Sequence, residues 1–139
     1  MSLWYAAHIL MYVKRKNKLR GKIPVWENIV LIKAESEASA YDKAQLRGKQ
    51  DEGDDDGTFR WQGEPATWVF AGVRKLTLCE DPERRPGDGS EISYTEMEVN
   101  SEQALWSLLE GKPIAVKLAD FSDESTSSDV STARVRQGA

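Results

Sequence analysis

Glu52, Asp54 and Asp56 alternate toward Gly57 in the stretch EGDDDGTFRW. That is the spacing with which EF-hand loops present oxygen ligands to calcium. With Gly57 at the sixth position, Thr58 would supply the backbone oxygen and Phe59 the apolar residue that follows. The twelfth position needs a bidentate Glu but falls on Gly63, and Glu64 comes one residue too late. The helix that should follow is replaced by FRWQGEPATW, whose Gly and Pro read as extended chain. The loop is therefore expected to be a solvated connection, with at most weak, adventitious cation binding at residues 51–56.

The other reactive side chains are isolated. His8 is the only histidine and Cys79 the only cysteine, which excludes a Cys/His zinc site. On strand alternation His8 shares a face with Trp4, Ala6, Leu10 and Tyr12, the setting of a structural histidine. Cys79, in KLTLCED, has no basic neighbour to lower its pKa. Glu96 and Glu98 fall on one strand face, but an acidic chain has many such pairs, so they support a small hydrolase only weakly. No glycine-rich phosphate cradle occurs. No catalytic residue, metal site or cofactor is expected.

Charge is more informative. Residues 1–50 carry ten Lys/Arg against four Asp/Glu, whereas residues 51–139 carry nine against nineteen. Six of those cations, Lys14, Arg15, Lys16, Lys18, Arg20 and Lys22, crowd one connection between apolar segments. A connection on a rigid scaffold suits recognition, so these six are the expected contact residues for an acidic protein or a second copy of the chain. A nucleic-acid interface using the same loop 14–22, with tryptophans as stacking platforms, is the alternative. The net charge of −4 opposes it.

The elements that must position these residues follow from periodicity. Trp4–Val13 is rich in aromatic and branched residues and reads as a strand buried on both faces for most of its length. It is too short to cross a bilayer, and its positive charges follow the apolar run, unlike a signal peptide. Val25–Ala34 is a second strand, paired with the first as a hairpin. Ser36 is placed to cap a helix carrying Ala40, Tyr41 and Ala44 on one side, with Gly48 as its stop. TFRWQ, TWVFAGVRKLTLCE and EISYTEMEV read as strands, with Gly72 marking a bulge in the middle one. Asn100 or Ser101 begins a second helix with Leu105, Leu108 and Leu109 as its stripe, and PIAVKLA is a last strand. The Ser/Thr-rich segment 122–139 has the composition of a disordered tail.

The order β-β-α-β-β-β-α-β implies an α+β domain over residues 1–121: an antiparallel or mixed sheet of about five to six strands with two helices packed on one face. Trp4, Ile9, Ile29, Leu31, Tyr41, Trp68, Phe70, Val73, Leu105 and Leu108 are the expected core. The segments WYAAHILMYV, ENIVLIKAESEASAYDKA, WVFAGVRKL and DGSEISYTEMEV, in this order, resemble the bacterial family called domain of unknown function 4288, over roughly residues 4–99. The resemblance implies a compact α+β domain and transfers no catalytic residue. With one cysteine and no leader, a cytoplasmic binding or interaction module is the expected function, and no membrane partner is expected.

Overall fold

The computed structural model describes residues 1–17 and 21–120 and the backbone of Val135–Arg136. Two compact units emerge, Met1–Ser93 with the chain's last residues, and Tyr94–Ala133. The first is built on β1 (Leu3–Arg15), β2 (Val25–Ala34), α1 (Glu37–Gln50), β3 (Arg60–Trp61) and β4 (Glu64–Leu78).

Its sheet has the order β2-β1-β4-β3, with every neighbouring pair antiparallel. Apolar β1 lies in the middle, buried on both faces as its composition requires. β1 and β2 form the expected hairpin, with Leu3 opposite Ala34 and Tyr12 opposite Val25. β3 and β4 are joined by Gln62 and Gly63, both at positive φ (52° and 84°), as the favoured two-residue hairpin turn demands. Gly63 closes that turn, and Glu64 and Pro65 begin β4.

β4 is long because two bulges let it follow the twist of β1. Register shifts fall between His8 and Ile9 and between Leu10 and Met11, which makes Arg74 and Ala71 the extra residues of the two bulges. Gly72 sits between the two bulges, as its place in the strand foretells.

α1 covers one face. Ser36 caps it by accepting from the Ser39 N–H. Ala40 and Ala44, fully buried, let the helix approach Tyr5, Ala7, Ile9, Met11, Ile32, Val73 and Leu76. Gly48 does not stop this helix, which continues to Gln50. A Cβ at Gly48 would lie 2.3 Å from the Phe70 ring, so the glycine serves close packing.

β2 departs from the expected core. Val30, Ile32 and Ala34 join the cluster under α1, while Ile29 and Leu31 are 47% and 40% exposed. The strand is apolar on both faces, but at the edge of the sheet only one face is covered.

The second unit contains β5 (Met97–Glu98), α2 (Glu102–Leu109) and β6 (Lys117–Leu118). β5 and β6 pair antiparallel in a separate ribbon, so the strands divide between two sheets. The strand expected over Glu91–Val99 shrinks to two residues because its apolar parity changes, from Ile92 and Tyr94 to Met97 and Val99. PIAVKLA likewise contributes only Lys117–Leu118, in a ribbon too small to bury a face. Ser101 is the cap of α2, accepting from the Ala104 N–H, and no α2 residue is buried. Leu105 is 44% exposed and Leu108 only half-buried. Neither belongs to the core cluster beneath α1, which contains no α2 residue. The expected tail of residues 122–139 lies outside the described residues, apart from Val135–Arg136, which forms a two-residue strand, β7, parallel to β4 at Leu76–Thr77.

Candidate functional site

The face of the sheet away from α1 gathers the polar chemistry. Strand alternation puts Ala6, His8 and Leu10 of β1 there, with Glu27, Ile29 and Leu31 of β2 and Lys75 and Thr77 of β4. His8, Lys75 and Thr77 are at most 1% exposed. The bulge at Arg74 turns its side chain onto the same face, one of the ways bulges re-aim a residue. Its Nε and Nη2 donate to Glu27 Oε2 at 3.0 and 2.7 Å. The same oxygen lies 2.5 Å from His8 Nδ1. On the far side of the imidazole, Nε2 lies 2.5 Å from Ser93 Oγ, itself 3.3 Å from Thr77 Oγ1.

Burial pushes the His8 pKa down, assisted by the positive charges of Lys75 and Arg74, against the pull of Glu27. Burial works to raise the Glu27 carboxyl, but the hydrogen bonds from Arg74 and His8 prevail and hold it below its ordinary value. The pair therefore rests as carboxylate and neutral imidazole, with Nδ1–H donating to Glu27, and Ser93 Oγ bridges Nε2 and Thr77 Oγ1.

Hydroxyl, imidazole and carboxylate in this order form the sequence of groups that activates a serine nucleophile. Two features separate this cluster from that machinery. The His8 ring is fully enclosed, whereas a general base must return its proton to a leaving group. Glu27 also answers to a guanidinium, so its charge is already balanced. The cluster pins Ser93 and Glu27 to the sheet. Sequence reasoning placed His8 on the right face but missed its partners. The signal available was a charged pair, Arg74–Lys75, inside an apolar strand.

The basic connection is partly committed within the chain. Arg15 donates to the Lys22 carbonyl at 3.2 Å and to Gln62 at 3.3 Å. Lys16 Nζ lies 2.6 Å from Asp54. Lys14 and Lys22 are exposed, and Lys18 and Arg20 lie outside the described residues. The acidic loop thus meets the basic one. Hydrogen bonds from Lys16 and from the Gly57 N–H hold the Asp54 carboxyl below its ordinary pKa, and Glu52 accepts from the Phe70 N–H at 2.9 Å. Among the described residues no group of three or more His, Cys, Asp or Glu side chains converges to hold a metal ion. Cys79 is buried, which pushes its thiol pKa up.

The sheet's two edges differ. The free side of β4 is occupied near both of its ends. Ala66 N–H donates to the Phe59 carbonyl, and Trp68 exchanges two bonds with Gly53. Glu52 caps Phe70, and β7 pairs with Leu76 and Thr77. The outer side of β2 carries no strand among the described residues. Val13 N–H donates to the Pro24 carbonyl. In an antiparallel ladder this fixes which groups face β1, namely those of even-numbered β2 residues. Val25, Glu27, Ile29, Leu31 and Lys33 therefore present their N–H and C=O groups outward. Lys43 Nζ takes the Lys33 carbonyl at 2.6 Å.

Residues 4–94 match the family model described as Domain of unknown function (DUF4288), and the chain belongs to that family. The match ends at the boundary between the two units. No curated protein and no solved structure gives a significant match. Among the described residues no helix is long and apolar enough to cross a membrane.

Proposed function

We propose that this member of the domain of unknown function 4288 family is a binding module whose working surface is the outer edge of β2, which takes up an extended polypeptide strand. The observation that carries this is a ten-residue strand whose outer side pairs with no strand among the described residues, with Val25 56%, Ile29 47% and Leu31 40% exposed along it. Long apolar edges invite pairing and are ordinarily blunted by charge, proline or a covering segment. Here the covering contacts seen among the described residues lie on β4, and on β2 Lys43 takes only the Lys33 carbonyl at its end. Added strands bind through main-chain hydrogen bonds and gain specificity from alternate side chains.

The polar cluster supports the same reading. Glu27 is the one charge between Val25 and Leu31 in the outward row. Arg74 and His8 draw its carboxylate back across the sheet, where it does not repel an incoming strand. A phosphate backbone approaching the basic connection would instead meet Asp54 beside Lys16.

A photo-reactive residue at Leu31 should cross-link to one defined segment of a partner, and a probe at exposed Leu46 on α1 should not. Ile29→Pro, which removes an N–H that does not face β1 together with one apolar side chain of the row, should abolish the Leu31 cross-link. Equal cross-linking from both positions, or indifference to proline, would refute the proposal.

A further inference from the structure

Resting on the strand-addition reading, we infer that the strand taken up at β2 is β2 of a second copy, so that two sheets join antiparallel across a two-fold axis near Asn28–Val30. Three features of the edge point to self-pairing.

The first is polarity of charge along the strand. Exposed Lys22 lies just before β2, and exposed Lys33 near its end is outweighed by exposed Glu35 and Glu37, which follow it. Antiparallel pairing brings the basic start of each strand to the acidic end of the other, twice. Parallel pairing would set like against like. The second is the outward row itself. Val25, Ile29 and Leu31 lie on one face, so a two-fold axis between them covers apolar side chains of one copy with those of the other. That is the self-complementarity an isologous contact requires. The third is the state of Glu27. A register centred on Glu27 would oppose two carboxylates, whereas one centred anywhere from Asn28 to Val30 sets each Glu27 against a residue of another type. The geometry of Arg74 and His8 keeps both carboxylates turned inward in those registers.

The joined structure hydrogen-bonds the outward N–H and C=O groups of Val25, Glu27, Ile29 and Leu31. The ladder and the apolar row supply the attraction, and the terminal charges orient it, because exposed ion pairs contribute only about 0–1 kcal/mol each.

Sedimentation velocity over a concentration series tests this on the full chain. A monomer–dimer equilibrium is expected, weakened at least about tenfold by Ile29→Lys and by Ile29→Pro. Both substitutions fall on an exposed residue whose N–H does not face β1, and circular dichroism checks that each variant is folded. Hydrogen exchange gives a second readout: the amides of Val25, Glu27, Ile29 and Leu31 should be protected in concentrated samples and exchange fast in dilute ones. A chain that stays monomeric at its highest soluble concentration overturns the inference. The strand-addition reading would then still stand if Leu31 cross-links to another protein. A dimer indifferent to both substitutions, with those amides unprotected, overturns the inference, and the strand-addition reading falls with it when Leu31 cross-links to no other protein.

Discussion

The Glu27 carboxylate and the His8 imidazole, 2.5 Å apart, join the edge strand of the sheet to its central strand through side chains on the face opposite α1. Both groups bind protons more weakly in the folded protein than in the unfolded chain. Falling pH therefore favours unfolding. The stability they contribute is complete above the ordinary histidine value of 6.5 and declines as pH drops through it. A further loss follows below the ordinary carboxyl value of 4.5. The urea midpoint should fall between about pH 7.5 and 5.5, and His8→Gln should flatten that part of the profile. An unchanged profile in the variant would assign the pH response to other groups.

Gly48 and Phe70 set up a test with an unusual sign. Replacing an interior helical glycine by alanine ordinarily stabilises by about 1 kcal/mol. Here the added Cβ would meet the ring at 2.3 Å, and overpacking costs about 1–3 kcal/mol. Gly48→Ala should lower the urea midpoint, and Phe70→Leu in the same chain should recover part of the loss. A stabilised Gly48→Ala would mean that the ring moves aside freely.

Much of this architecture was readable because its determinants are local. Ser36 and Ser101 announce their helices by hydrogen-bonding chemistry that needs no tertiary partner. β1 is apolar from Leu3 to Val13 apart from His8 because it is a central strand, and Gly72 marks a bulged region. What stayed hidden depends on position in the fold. Ile29 and Ile32 are chemically alike, yet one faces outward and one faces α1, and only strand order separates them. Ser93 reaches His8 across 85 residues of chain, so no spacing rule links them. The glycine at 48 looks like a stop until the Phe70 ring is placed against it.

The second helix should be energetically minor. α2 buries no residue, and Leu108 is only half-buried, whereas Ile9 is 1% exposed at the centre of the core. Ile9→Ala should cost about 2–5 kcal/mol by denaturant titration. Leu108→Ala should stay below about 1 kcal/mol, as for changes away from packed cores. Equal losses would require burial of Leu108 that the described residues do not provide.

Lys22 and Lys16 should behave differently although both belong to the basic connection. Lys16 already has a partner, Asp54, with both side chains about a third exposed. Its loss should cost little, and it lies away from the β2 edge. Lys22 is exposed beside that edge, where antiparallel pairing would bring it to Glu35 of the second copy. Lys22→Glu should therefore weaken dimerisation about two- to fivefold at low salt, the worth of an exposed ion pair. The effect should shrink as salt screens it. Glu35→Lys should weaken the dimer similarly, and the two changes together should restore it, since the pair is then reversed. Lys16→Glu should leave the dissociation constant unchanged. If Lys16→Glu is the damaging substitution and the double reversal restores nothing, the basic connection itself is the contact surface and the axis near Asn28–Val30 is wrong.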